Sequence, residues 1–350
     1  MILLTHPMTD FKSATWVLLV FLLLGPALAL SATPTASPLL RVEQSTTGTT
    51  LWLRMKNGPF PCDGKPYRDA TTALFVPTHY KPQKQIDMLV HFHGHDGLVP
   101  RKIVEHQLRE QVAESGRNIL FVMPQGPTNA GDSAGGKLEL QAGFAAFTTE
   151  MLQMLQRKDV RKALILFRFT KQLQLGHVAL SAHSGGYHVT AKVLELGGVP
   201  VREVFLFDAL YADVPLFRDW LAQQEGQGKR LILWFTGGAP MQLGQILRTR
   251  LREAGVHVSW EDPEGSLTWQ QFCRGPAVMI HTGLKHGQTP WGHNNLRDAL
   301  LSSRFGRVAN AGPMMQVGKN NRILQGRDGI PAFLPPRGLE APAAATPIAQ

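Results

Sequence analysis

Short, nearly continuous apolar runs alternate along this chain with segments whose apolar residues recur every three or four positions. Ala73–Val76, Ile86–Phe92, Asn118–Met123, His177–Leu180, Val204–Phe207, Arg230–Phe235, Val256–Trp260 and Ala277–His281 read as strands. Val99–Val112 reads as a helix with Val104, Leu108 and Val112 on one face. Helical spacing returns over Phe144–Leu155, Gly186–Leu196, Leu216–Gln224, Leu243–Ala254 and Asn294–Ser302. Strands that lack polar alternation are buried on both faces. Their alternation with helices predicts an α/β class: a mainly parallel sheet with helices on both faces, in three layers. Ligands of such sheets lie beyond the carboxyl ends of the strands, so chemistry is expected just after each strand.

The pattern fails at both ends. Ala14–Leu30 is apolar except for Thr15, Gly25 and Pro26, follows Lys12, and closes on Ala27-Leu28-Ala29. A short apolar core, a helix breaker and a small-residue exit predict a signal peptide over 1–32 and an exported protein, periplasmic or secreted. A single-span membrane anchor is the alternative, although Pro26 interrupts a run of barely one bilayer thickness. Residues 33–40 read as a Ser/Thr/Pro/Ala linker, and 306–350 as a basic, Pro/Gly/Ala-rich irregular tail. One domain over 41–305 remains.

At 350 residues and 43% hydrophobic content the chain is not disordered throughout, and two cysteines do not make a disulfide-dense miniature. In an exported chain Cys62 and Cys273 would pair; two buried thiols are the other reading. The formal charge of +10 raises nucleic acid as a partner. However, Arg304–Arg337 holds six basic residues against one acidic, without the interleaved aromatics that stack bases. The expectation is therefore no nucleic acid, and electrostatic contact of the basic tail with an anionic surface. Nothing in the sequence fixes an oligomeric state.

Two serines compete as nucleophile. Ser184 in LSAHSGGYHV follows the strand His177–Leu180 within a few residues and precedes a helix, the setting of a nucleophile elbow. It departs from G-x-S-x-G in carrying Ala182 for the first glycine, with Gly186 as the second. Ser133 in AGDSAGGKL fits G-x-S-x-G in full and resembles the GDSAGG signature of hormone-sensitive-lipase-like esterases. The loop Gln125–Ala130 separates Ser133 from its strand, so it reads as part of a glycine-rich loop overlooking the cleft. Ser184 is the expected nucleophile.

HFHGHDG (91–97), SAHSGG (181–186), Asp208 at the end of VFLFD, and His293 in TPWGHNNL occur in this order, each after a strand. Together they resemble the α/β-hydrolase superfamily over roughly 70–302. The resemblance implies a Ser-His-Asp triad, an acyl-enzyme and no cofactor. It gives Ser184 as nucleophile, His293 as base and Asp208 as acid, with His286 the alternative base and Asp213 or Asp262 the alternative acid. It also implies an oxyanion hole from the Gly185 N–H and a second donor in the His93-Gly94 region. Ser133, His95 and Asp96 are candidates for loops that touch the substrate, and Trp52, Trp269, Trp291 and Tyr187 for an aromatic cleft. The expected substrate is a small or polymeric ester.

Two other classes compete. His91, His93 and His95 alternate as ligands of a divalent metal would on one strand face, and HFHGHD resembles a metallo-β-lactamase motif with its last two residues exchanged. His183, Asp208 and His293 would complete a two-metal set. The third class is a binding protein on an inactive hydrolase fold.

Overall fold

The computed structural model describes residues 37–61, 66–223 and 228–308. The signal-peptide segment, Cys62 and the tail from 309 onward lie outside the described residues. The strands are β1 (Leu39–Gln44), β2 (Gly48–Arg54), β3 (Thr71–Pro77), β4 (Gln85–Phe92), β5 (Leu120–Pro124), β6 (Gln174–His183), β7 (Val201–Phe207), β8 (Arg230–Phe235), β9 (Val258–Glu261) and β10 (Ala277–His281). They form one sheet in the order β1-β2-β3-β5-β4-β6-β7-β8-β10-β9. The β1–β2, β2–β3 and β3–β5 pairings are antiparallel. All later pairings are parallel.

Helices cover both faces. Residues of β6 alternate as the pleat requires, with Val178, Leu180 and Ala182 toward one layer and Ala179 toward the other. The first layer holds α3 (Gly143–Gln156), α4 (Lys158–Ala163), α5 (Tyr187–Leu196), α6 (Val214–Ala222) and α7 (Gly238–Glu253). The second holds α1 (Val99–Glu105), α2 (Leu108–Glu114), α8 (Trp269–Arg274) and α9 (Asn295–Ser302). This is the expected three-layer α/β sandwich. Among the described residues no helix is long and apolar enough to cross a membrane.

Three expectations shift. The single helix over Val99–Val112 is two, because Gln107 takes a left-handed φ of 48° and turns the chain between them. β1 begins at Leu39, inside the stretch read as linker, where Leu39 pairs with Leu53. Arg307, read as part of the tail, bridges to Arg117, and the Val308 N–H donates to Gly116 O at 3.0 Å.

Register sets the site. His91 and Phe92 of β4 pair with Ser181 and Ala182 of β6. His183 pairs with Phe207 of β7, and Phe207 with Trp234 of β8. The chain leaving β4, Ser184 after β6, Asp208 after β7 and Thr236 after β8 therefore emerge side by side along one edge.

Candidate active site

Ser184 stands at φ 54°, in the left-handed region that disfavours side chains, at the junction of β6 and α5. The neighbours that make this turn possible are glycines. A Cβ on Gly186 would lie 2.5 Å from Phe92 O. One on Gly94 would lie 2.5 Å from Ser184 Cβ and 3.1 Å from its Oγ. Ala182, where the usual pattern has glycine, is buried as the last core residue of β6 on its face. The loop from β4 thus passes directly against the serine.

That loop is fixed by His93. Its Nδ1–H donates to Gly94 O at 2.8 Å, and its Nε2 accepts from the Gly126 N–H and the Gln125 amide, each at 2.9 Å. Burial holds the His93 ring below the usual histidine pKa, with the neighbouring Lys102 and Arg101 acting in the same direction. His95 turns outward, its Nε2 2.8 Å from Ser133 Oγ. The pair overhangs Gly185, whose Cβ would meet the His95 ring at 2.5 Å and Ser133 Oγ at 2.8 Å. Ser133 is thus brought to the site from its glycine-rich loop. Asp96 is exposed; at φ 52° it carries the turn, its N–H donating to Ala130 O. A small cleft beside Ser133 is lined by Phe92, Pro124, Ala134 and Val189.

Asp208 is buried, at φ 47° just past β7. Its Oδ1 accepts from the Thr236 N–H and its Oδ2 from the Thr236 hydroxyl, both at 2.9 Å. The third donor is His286 Nδ1, 2.6 Å from Oδ2. His286, not His293, is the histidine on this carboxylate. His293 sits at φ 56°, with Nδ1 3.2 Å from Glu264 Oε2. The reserve acids have histidines of their own: Asp213 pairs with His188 at 2.8 Å and Asp262 with His281 at 3.2 Å.

His183, immediately before the serine, donates from Nε2 to His286 O at 3.1 Å, and the two rings are 4.7 Å apart. His106 meets His183 edge-on at 4.9 Å. Burial pulls His106 and His91 down to about 3, with nearby histidines adding to the effect, and keeps His183 well below its usual value. These rings are neutral at pH 7. Tyr211 stands edge-on to His286 at 6.3 Å, and burial followed by the Asp208 charge pushes its hydroxyl up to about 12.

The three histidines read as metal ligands diverge. His91 leaves β4 inward, its Nδ1 2.8 Å from Ser181 Oγ, while His93 and His95 hold the partners given above. Among the described residues no three His, Cys, Asp or Glu side chains converge as ligands would. Of the aromatic candidates, Trp52 is in the core and Trp269 packs on Phe272. Tyr187 is near the site, 5.9 Å from Tyr211. Sequence reasoning missed Thr236, Gln125, His106 and Tyr211. Thr236 and Gln125 had a positional signal, as the residues directly after β8 and β5.

No protein-family profile and no curated protein sequence matches this chain. Among solved structures it is similar to the feruloyl esterase module of Clostridium thermocellum, at 11% identity and a TM-score of 0.43 over 76% of this chain and 94% of that one. It is similar to the enterobactin hydrolase IroE at 15% identity and a TM-score of 0.40, over 74% and 96% of the two chains. A third is the fluorophosphonate-binding serine hydrolase F of Staphylococcus aureus, at 10% identity and 0.41, over 73% and 99%. By its own strand order, with a serine on a left-handed turn between β6 and α5, the chain has an α/β-hydrolase-like fold.

Proposed function

We propose that this protein is a serine hydrolase that cleaves a carboxylic ester, or an amide, through an acyl-enzyme on Ser184. The observation that carries the reading is the 2.6 Å contact between His286 Nδ1 and Asp208 Oδ2, on the strand end next to Ser184. Asp208, held by Thr236, accepts a hydrogen bond from His286 Nδ1–H and fixes the tautomer in which Nε2 is the base. Nε2 takes the hydroxyl proton as Ser184 Oγ attacks the carbonyl carbon. The same proton passes to the leaving oxygen or nitrogen as that bond breaks. Water, deprotonated by Nε2, then attacks the acyl-enzyme, releasing the acid and restoring Ser184.

The oxyanion is assigned to the Gly185 N–H and to the backbone at Gly94, which approaches Ser184 as closely as a residue without Cβ allows. His93 is a positioning residue that stiffens this loop. Ser133 and His95 overhang Gly185 and offer a hydroxyl and a ring nitrogen to a polar group on the substrate. Export remains part of the proposal, on the strength of the apolar run Ala14–Leu30 and its small-residue exit.

The test is hydrolysis of a soluble p-nitrophenyl ester by His286→Ala and His293→Ala variants of the full chain. The expected result is loss of turnover in the first and a rate within a few-fold of the parent in the second. The opposite pattern sinks the triad as assigned.

A further inference from the structure

The most exposed large apolar side chains of the described residues are neighbours: Ile165 at 76% and Leu166 at 88% exposed. They sit at the tip of the connection between α4 and β6. The sequence around them, RKDVRKALILFRFTK over 157–171, carries six basic residues against one acidic. Asp159 is engaged with Arg157 at 3.0 Å. Lys158, Arg161, Lys162, Arg168 and Lys171 are all exposed and flank the apolar pair on both sides.

The loop is built to hold this pair outward. Phe169 is buried and Phe167 half-buried, and their rings pack against Tyr80 at 6.0 and 6.2 Å. The Phe167 N–H closes a turn on Leu164 O at 2.8 Å, and the Gln156 amide ties down Thr170 O at 3.0 Å. The aromatics of the loop thus face the core while its aliphatics face water. A nucleic-acid surface has the reverse need, since bases stack on exposed aromatic rings. Aliphatic tips within a ring of cations match an anionic bilayer, where the tips enter the interface and the cations meet phosphate groups.

The geometry points to the Ile165-Leu166 loop as a docking surface for an anionic lipid bilayer. It lies on the folded body and is separate from the basic tail. Its position fixes an orientation. The loop feeds the first residue of β6, and Ser184 follows the last, so the ten-residue strand puts them at opposite edges, about 30 Å apart. A docked molecule turns its active edge away from the membrane, toward substrate in the aqueous phase.

The experiment uses the full chain with vesicles of phosphatidylcholine alone, or with about one-third phosphatidylglycerol. A solvatochromic label on Leu166→Cys, read against the parent chain labelled in the same way, reports the loop itself. The expected result is a blue shift on the anionic vesicles only, reversed by high salt. Ile165→Asp/Leu166→Asp and Lys158→Ser/Arg161→Ser/Lys162→Ser should each lower partitioning about tenfold, with soluble-ester turnover unchanged. A label that stays in water on both vesicle types overturns the proposal, whatever the partitioning of the chain as a whole. So does an Asp double variant that turns a dimer into a monomer and leaves vesicle binding intact, because the patch would then join two copies of this chain.

Discussion

Two glycine-flanked serines stand within one site, and they differ in how the backbone delivers them. Ser133 has the complete G-x-S-x-G string, yet it rides on a loop well past β5, and the hydroxyl of Tyr67 bonds the adjacent Asp132. Its hydroxyl is paired with His95, but among the described residues no carboxylate bonds that ring. Ser184 has an alanine in the string, yet β6 feeds it straight into a left-handed turn with His286 and Asp208 alongside. The glycines differ too. A Cβ on Gly131 would meet nothing, whereas one on Gly94 or Gly186 would collide with backbone or with Ser184. In the proposed reading a nucleophile is made by strand, strained turn and close approach, and the letters matter only as far as they permit those.

Substitutions at the two serines break this comparison most sharply. Ser184→Ala should lower ester turnover by about 10⁴-fold or more, while Ser133→Ala should leave it within about tenfold, measured as kcat/KM. Asp208→Asn should cost about 10³- to 10⁴-fold in kcat, because the His286 tautomer is lost. Asp213→Asn and Asp262→Asn, which pair with His188 and His281 and not with His286, should change kcat less than about threefold.

The glycines sharpen it. Gly94→Ala places a methyl against Ser184 and should lower kcat by about 10²-fold with the fold retained by circular dichroism. Gly131→Ala, in open space, should shift stability by no more than about 0.5 kcal/mol in a denaturant titration and leave kcat alone.

Much of this was legible in the chain. The apolar runs located eight strands because strands buried on both faces are apolar throughout, β3 included although its pairings are antiparallel, and the elbow stood out because a strand runs into Gly185-Gly186 and a helix. The strands β1 and β2 were not recognised, since LLRVEQ and GTTLWLR lie at an antiparallel edge with mixed polarity. Spacing does not tell which histidine meets Asp208, because His286 and His293 share one loop. The resemblance favours the residue before α9, but the left-handed backbone at His293 accompanies a ring turned to Glu264 instead. Side-chain direction in a loop is set by tertiary partners that spacing does not encode. The same limit applies to H-x-H-x-H: β4 ends at Phe92, so His93 and His95 leave the strand and the alternation that would have aligned them.

The buried rings behind the Ser184 turn set a pH dependence of stability rather than of turnover. His91 and His106 titrate near 3 when folded, against about 6.5 when unfolded. Below about pH 6.5 the unfolded chain takes up protons that the folded chain refuses. The rings therefore cost the fold nothing above that pH and destabilise it progressively as pH falls toward 3. Melting temperatures at successive pH values should fall below 6.5, and His106→Leu should flatten part of that slope.

The central claim is that the backbone, not the motif string, selects the nucleophile. It is tested most directly by treating the active full chain with a fluorophosphonate and locating the adduct by peptide mass spectrometry. The account predicts one adduct, on Ser184, with activity lost in step with labelling. An adduct on Ser133, or full inactivation with Ser184 unmodified, would contradict it.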